Sequence, residues 1–269
     1  MKIAVCVKQV PDSWAEKKMS GQVLDRAGVD AVLNDLDEYA VEEALRIVEA
    51  HSPTKEAGEG SGHTITLISM GPERATEAIR KALSMGADNA IHISDDALAG
   101  SDALATSLVL AKVISTEGFD LVICGTESTD ARMSVVPAML AQRLGWAALT
   151  FAGSVIVEPE NSKVLIARST EFGVENMSAA FPVVVSVNEK INEPRYPSFK
   201  GIMAAKKKTI TAKSLSDLGI AASAVGASAA WSSVKDSLLR PARSSGIKVE
   251  DSGDGGNQLA AFLAEKRVI

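Results

Sequence analysis

The sequence is short of several things, and each shortage excludes a class of protein. Two cysteines, Cys6 and Cys124, occur in 269 residues. That is too few for a disulfide framework or a four-cysteine metal site. Aromatic residues amount to 4%, so no stacking platform for single-stranded nucleic acid is expected. Positive charge is in deficit, because 28 Lys and Arg against 34 Asp and Glu give a formal net charge of −6. A general affinity for polyanions is therefore not expected, nucleic acid included. Long apolar runs are missing as well. Stretches such as 181–185 are strand-sized, far below the roughly 20 residues of a membrane helix. Direct membrane insertion is not expected, and Met1-Lys2 runs into a buried-looking strand with no small-residue cleavage site after it, so export is not expected either. The expectation is a reduced, cytoplasmic protein. GxGxxG and P-loop patterns do not occur, which removes the usual support for a dehydrogenase or an NTPase.

What is present reads as alternating strands and helices. Hydrophobic residues make up 46% of the chain, and with so few rings the core must rest on Ala, Val, Ile and Leu. Residues 3–7 form a short continuous apolar run, as in a strand buried on both faces. Runs at 64–68, 89–93 and 119–124 repeat it. Helical stripes lie between them: Val41, Ala44, Leu45 and Val48, then Ala75, Ile79, Ala82 and Leu83, then 102–117. Another follows the fourth strand with Ala138, Leu140, Ala141 and Leu144. Segments 21–31 and 52–62 read as loops. Strands joined by single helices imply right-handed βαβ units and a parallel sheet. Beyond Ala147 three strand-like runs, 154–157, 164–168 and 182–187, follow without clear helices between them. Ser, Ala and Gly dominate 214–233 and 244–256, as in an extended arm that leans on something else. A short amphipathic segment with Leu259, Phe262 and Leu263 ends it. The length prior of about 1.8 domains thus resolves into an α/β domain over 1–210 and an arm over 211–269.

Ligands of open parallel sheets bind outside the carboxyl ends of the strands. Four loops, 8–13, 33–37, 69–72 and 125–136, meet on that edge in this reading. Gly125-Thr-Glu-Ser-Thr-Asp130 is small and polar, and Ser134 is placed to cap a helix whose first turn holds Pro137. Amides at 134–136 would then face a phosphate along the helix dipole. Asp130 would accept from a ribose hydroxyl, or brace the loop through backbone amides. Any strand-to-helix loop would suit the same composition. Catalytic constellations do not emerge. His51, His63 and His92 are scattered, and the alternation around His92 marks a packed strand position. Cys6 and Cys124 lie at similar depths on their strands and read as buried small hydrophobes that can approach each other. The crevice reads as a binding site without chemistry of its own.

A second distinctive stretch runs from Asn192 to Lys208. Pro194 and Pro197 fix a loop, after which Phe199, Ile202 and Met203 recur at helical spacing beside Lys206-Lys207-Lys208. An apolar stripe carried on a tight loop fits a docking element. The lysines alone read as a solvated face.

These residues carry a family resemblance. Val5-Cys-Val-Lys-Gln-Val-Pro-Asp12, Leu33-Asn-Asp-Leu-Asp-Glu-Tyr-Ala-Val-Glu-Glu-Ala44, Ala82-Leu-Ser-Met-Gly-Ala-Asp88 and Asn192-Glu-Pro-Arg-Tyr196 through Lys208 are its main segments. The chain resembles the β-subunit of electron transfer flavoproteins over nearly its whole length. A further signature, Arg168-Ser-Thr-Glu-Phe-Gly-Val-Glu175 ahead of Pro182-Val-Val-Val185, departs at Phe172, where the family has a small or acidic residue. The resemblance implies an α/β fold with an open, mostly parallel sheet of the adenine-nucleotide α-hydrolase-like, Rossmann-like type. It implies a heterodimer with an α-subunit on which the C-terminal arm packs. FAD would be held mainly by that α-subunit, close to the subunit boundary, and AMP would be bound by this chain as a structural element. Electrons would pass from acyl-CoA dehydrogenase-type donors to the flavin, and on to a quinone oxidoreductase that accepts from such flavoproteins.

By position, the resemblance assigns cofactor binding to Cys6, Asn34, Asp35, Leu36, Asp37, Met70, Gly125, Thr126, Glu127, Ser128, Thr129, Asp130, Met133, Ser134, Val135 and Val136. It assigns docking to Pro194, Arg195, Tyr196, Phe199, Ile202 and Met203, with Phe199 where the family's recognition loop has an anchoring leucine. Members that bind a second FAD in place of AMP and bifurcate electrons from NADH typically carry Gly-x-Gln-Ala-x-Asp-Gly-Asp-Thr in the nucleotide loop. Glu127, Ser128, Ala131, Arg132 and Val136 depart from that pattern while Asp130 and Pro137 remain, which favours AMP. Ser134 also replaces the residue that often approaches the phosphate. A stand-alone nucleotide-binding protein resembling universal stress proteins is the other alternative; the docking loop and the arm argue against it. Trp14 reads as a packing tryptophan, with a place near the flavin as the weaker reading.

Overall fold

The apolar runs become the strands of one sheet. The protein is described here by a computed structural model, in which residues 1–21, 23–52, 62–238, 240–243 and 245–269 are described. In chain order the elements open with β1 (Lys2–Cys6), β2 (Gln9–Pro11), β3 (Met19–Ser20), β4 (Val23–Leu24), β5 (Ala31–Leu33) and α1 (Asp35–His51). They continue with β6 (Thr64–Met70), α2 (Thr76–Met85), β7 (Asn89–Ile93), α3 (Ala103–Glu117), β8 (Leu121–Gly125) and α4 (Val136–Leu144). Then come β9 (Ala147–Ala152), β10 (Ser154–Glu158), β11 (Lys163–Thr170), β12 (Gly173–Ala180) and β13 (Val183–Val187). The last are α5 (Phe199–Ala205), β14 (Ile210–Lys213) and α6 (Gly255–Glu265).

The chain divides into two units, Met1–Lys235 and Asp236–Ile269. In the first, seven strands form a sheet in the order β14-β7-β6-β1-β8-β13-β9, and each neighbouring pair is parallel. Alternation sends Ile3 and Val5 of β1 to the face covered by α1 and α2. Ala4 points to the face covered by α3 and α4. Both faces are covered, which is why these strands read as unbroken apolar runs. Asp102 caps α3 by accepting from the Ala105 amide at 3.0 Å. Gly118 closes that helix at φ 69°, a conformation that glycine adopts without strain.

The order of strands has a consequence for the site. From β1 the chain moves outward through β6 and β7, then returns to place β8 on the opposite side of β1. The topological switch point therefore lies between the carboxyl ends of β1 and β8, at Cys6 and Gly125.

Three regions differ from the sequence expectation. Segment 21–31 is not simply loop: β3 and β4 pair as a short hairpin, and β5 pairs with β2. Of the loop expected over 52–62, residues 53–61 lie outside the described residues. Between Ala147 and Val187 there are five strands rather than three. β13 inserts between β8 and β9 in the main sheet, while β10, β11 and β12 form a separate antiparallel sheet. β12 is mostly exposed, so burial imposes no apolar alternation on its sequence. The first unit also runs past 210 to Lys235. β14 adds to the edge of β7, Leu215, Leu218 and Val225 are buried, and the amides of Trp231 and Ser232 donate to Asp102. Small residues fill the space between these anchors.

In the second unit, the Asp251 carboxylate accepts from the amides of Gly253 and Gly255 at 2.8 and 2.9 Å. Helix α6 follows, with Leu259 and Phe262 exposed. No helix among the described residues is long and apolar enough to cross a membrane.

Candidate functional site

At the switch point the start of α1 and the loop after β8 are locked together. Asn34 is 1% exposed. Its Nδ2 donates to Asp37 Oδ1 at 2.8 Å and to the Glu127 carbonyl at 3.0 Å. Its Oδ1 accepts from the Thr129 amide at 3.0 Å. One buried amide side chain thus fixes both segments, and its capacity is nearly filled. Asp37 Oδ2 accepts from the Lys8 amide at 2.7 Å. Burial pushes the Asp37 carboxyl up to about 7, although the Asn34 and Lys8 donors pull it down. Gly125 meets this pair so closely that a Cβ there would lie 2.7 Å from both Asp37 Oδ1 and the Leu36 carbonyl. Thr126 Oγ1 donates to the Val187 carbonyl at 2.8 Å, tying the loop to the end of β13.

Among the described residues, Asp130 braces its loop through side-chain cations rather than through backbone amides. Its side chain is 1% exposed and forms ion pairs with Lys8 Nζ and Arg26 Nη2, each at 2.8 Å. Burial alone would raise its pKa, but the charge and hydrogen bond of Lys8, with Ser128 and Arg26, hold it down to about 2. Arg26 belongs to the segment between β4 and β5, so this contact straps that segment across to the β8 loop. An Asp130→Asn variant is expected to release Arg26 and to lose about 1–2 kcal/mol of stability. Denaturant unfolding of the variant and its parent checks this.

Ser134 is the second correction. It has φ 55°, and its hydroxyl donates to Glu127 Oε2 at 2.8 Å. The cap position of helix α4 falls one residue later, at Val135, with no side-chain cap. Pro137 does lie in the first turn. The first amides of α4 therefore lack an intrahelical acceptor and a capping side chain. Arg132, at φ 49°, approaches Glu127 Oε1 at 3.9 Å. Val136 is half-buried at the head of the helix, and Met133 is exposed in the loop.

The remaining expected positions also lie on this edge. Met70 ends β6 and is half-buried. Asp35 is exposed and Leu36 half-buried in the first turn of α1. Cys6 and Cys124 are register partners on β1 and β8 and are free thiols. Contact with the Cys6 thiol and burial push the Cys124 thiol up. His92 is buried in β7, within 3.1 Å of the Gly71 carbonyl. Trp14 overturns its expectation as a packing residue: it is 94% exposed. Sequence reasoning missed Lys8 and Arg26 as participants. Lys8 lay inside a loop already singled out; Arg26 carries no local signal.

The stretch 192–208 forms a separate feature. Ser198 Oγ caps α5 by accepting from the Gly201 amide at 3.0 Å. Gly201 abuts α2, since a Cβ there would lie 2.6 Å from the Ser84 carbonyl. Arg80 donates to the carbonyls of Ala205 and Lys208. Lys208 is not part of a solvated face: its Nζ donates to the carbonyls of Leu83, Gly86 and Ala87, completing the C-terminal end of α2. On this frame Tyr196, Phe199, Ile202 and Met203 are exposed. Pro194 and Arg195 are half-buried.

The fold and this edge define a Rossmann-like α/β protein whose polar loops converge at the topological switch point. The model of the electron transfer flavoprotein domain family matches residues 21–218. The electron transfer flavoprotein subunit beta of Mycobacterium leprae is 50% identical over 270 residues, covering 99% of each chain. That of Megasphaera elsdenii is 36% identical over the full length of both. The caffeyl-CoA reductase-Etf complex subunit CarD of Acetobacterium woodii is 34% identical over 99% of this chain and 97% of its own. The chain belongs to the electron transfer flavoprotein family, on the side of its β-subunits, and its role lies in electron transfer.

Proposed function

We propose that this chain acts in the cytoplasm as the β-subunit of a heterodimer, with AMP in the crevice between β1 and β8. The observation that carries the AMP reading is the head of α4. Its first amides have no side-chain cap, and the partly exposed cations Lys8 and Arg26 stand at the same loop. That combination suits one phosphate. The Glu127 carboxylate, held by Ser134, adds negative charge that disfavours a second phosphate and hence a dinucleotide. Asn34, Asp37, Gly125 and Thr129 shape the crevice and keep it rigid. AMP supplies no chemistry of its own; FAD, held mainly by the α-subunit at the boundary, supplies the redox chemistry. The second unit, with its exposed Leu259 and Phe262, packs on that α-subunit.

In this reading Phe199, Ile202 and Met203 dock acyl-CoA dehydrogenase-type donors, and electrons leave the flavin for a quinone oxidoreductase. The β chain positions and docks but makes and breaks no bonds. Coexpression with the α-subunit followed by acid release of ligands tests the assignment. One AMP and one FAD per heterodimer are expected. Two FAD would overturn the AMP reading in favour of bifurcation, and ATP on a homodimer would overturn the heterodimer itself.

A further inference from the structure

We infer that Arg195 is a positioning residue: its guanidinium, gripped by two carboxylates of α1, sets the orientation of the docking helix α5 and makes no contact with the docked protein. The inference rests on the reading of 192–203 as a docking loop. Its geometry stands independently.

Arg195 Nε and Nη2 donate to Glu42 at 2.7 and 2.9 Å, while Nη1 and Nη2 donate to Glu49 at 2.6 and 3.1 Å. The Arg195 amide adds a bond to Glu42 Oε2 at 3.1 Å. Glu42 and Glu49 are two turns apart on one face of α1, so a single planar fork spans them. Glu42 is buried, and its charge needs this partner. Among the described residues, the hydrogen bonds that hold 193–197 to the body all come from Arg195. Asn192 anchors the preceding turn to the Tyr39 carbonyl and to Glu43. Helix α1 therefore carries the crevice at its N-terminus and the docking frame along its body. With its fork occupied by Glu42 and Glu49, Arg195 has little capacity for a partner's carboxylate.

Arg195→Lys separates geometry from charge, because lysine keeps the charge but cannot fork across two carboxylates. Two readouts on the complete heterodimer distinguish the inference from the reading beneath it. The first is hydrogen exchange of the α5 amides without any donor present. The second is reduction by an acyl-CoA dehydrogenase, with KM separated from kcat. Arg195→Lys and Glu49→Gln are each expected to speed exchange in α5 by roughly tenfold and to raise the KM for the donor by a similar factor. The double variant should be no worse than the singles, since both break one contact. AMP content should stay at one per heterodimer, which excludes global misfolding. Unchanged α5 exchange in Arg195→Lys overturns the positioning role. An unchanged KM in Glu49→Gln with a raised KM in Arg195→Lys also overturns it, in favour of direct partner contact. Faster exchange in both variants with unaltered KM leaves the positioning role standing and overturns the docking reading of the loop.

Discussion

Phe199→Ala is expected to weaken docking of the donor dehydrogenase by about 30-fold or more, while folding and bound AMP stay unchanged. Phe199 is 80% exposed on α5, so it contributes almost nothing to the core, and an exposed truncation changes stability by about 0.5 kcal/mol at most. A rigid aromatic presented on a braced helix has the character of an interface anchor, and truncating such anchors costs about 2 kcal/mol or more. Ile202 and Met203 flank it, and Lys200, Lys206 and Lys207 are exposed around it. Those cations predict an acidic rim on the receiving surface and an association rate that falls with ionic strength. Stopped-flow reduction at donor concentrations below saturation measures the effect. A rate equal to that of the parent protein would remove Phe199 from docking.

The braced helix also shows how far the sequence could be read. The strands β1, β6, β7 and β8 were legible because burial on both faces leaves an unbroken apolar run. β12 and β14 were not, since the edge strands Gly173–Ala180, mostly exposed, and Ile210–Lys213, with no fully buried residue, need carry no such pattern. The edge on which the site lies follows from strand order, and the loops at 33–37 and 125–136 could be named from it. The wiring within the site could not. Asp130 and Arg26 are 104 residues apart in the chain, and neither carries a local sign of the other. Ser134 has the composition of a helix cap, but at positive φ its hydroxyl bonds Glu127, and Val135 takes the cap position instead. Arg195 likewise carries no local sign of its partners Glu42 and Glu49, which lie about 150 residues earlier. Glu42 is buried on α1 but lies beside the stripe of Val41, Ala44, Leu45 and Val48, so no periodic pattern marks it as a charge that a cation must reach.

Gly125→Ala should have the largest effect on the crevice itself. The added Cβ would stand 2.7 Å from Asp37 Oδ1 and 2.7 Å from the Leu36 carbonyl, well inside contact distance. Leu36 offers backbone, so the clash is not relieved by turning a flexible side chain. Either β8 and α1 separate or Asp37 moves. If Asp37 moves, it takes with it the acceptor for the Lys8 amide and for Asn34 Nδ2, so the polar lock cannot survive intact. Overpacking of this kind, with buried polar groups left unpaired, costs about 3 kcal/mol or more. At roughly 2–4 °C per kcal/mol for a chain of this size, the melting point should fall by about 6–12 °C. AMP should be lost from the purified heterodimer as well, because the loop that would hold it is the part displaced. Gly145→Ala is the matched control. It sits at φ 69° with nothing within 4 Å of the new Cβ, so its cost is confined to about 1 kcal/mol of backbone strain, and it should retain AMP. A Gly125→Ala protein that melts within a degree of the parent and keeps its nucleotide would mean that β8 and α1 can part without disturbing the crevice. The rigidity assigned to Asn34 and Asp37 would then have no role in binding.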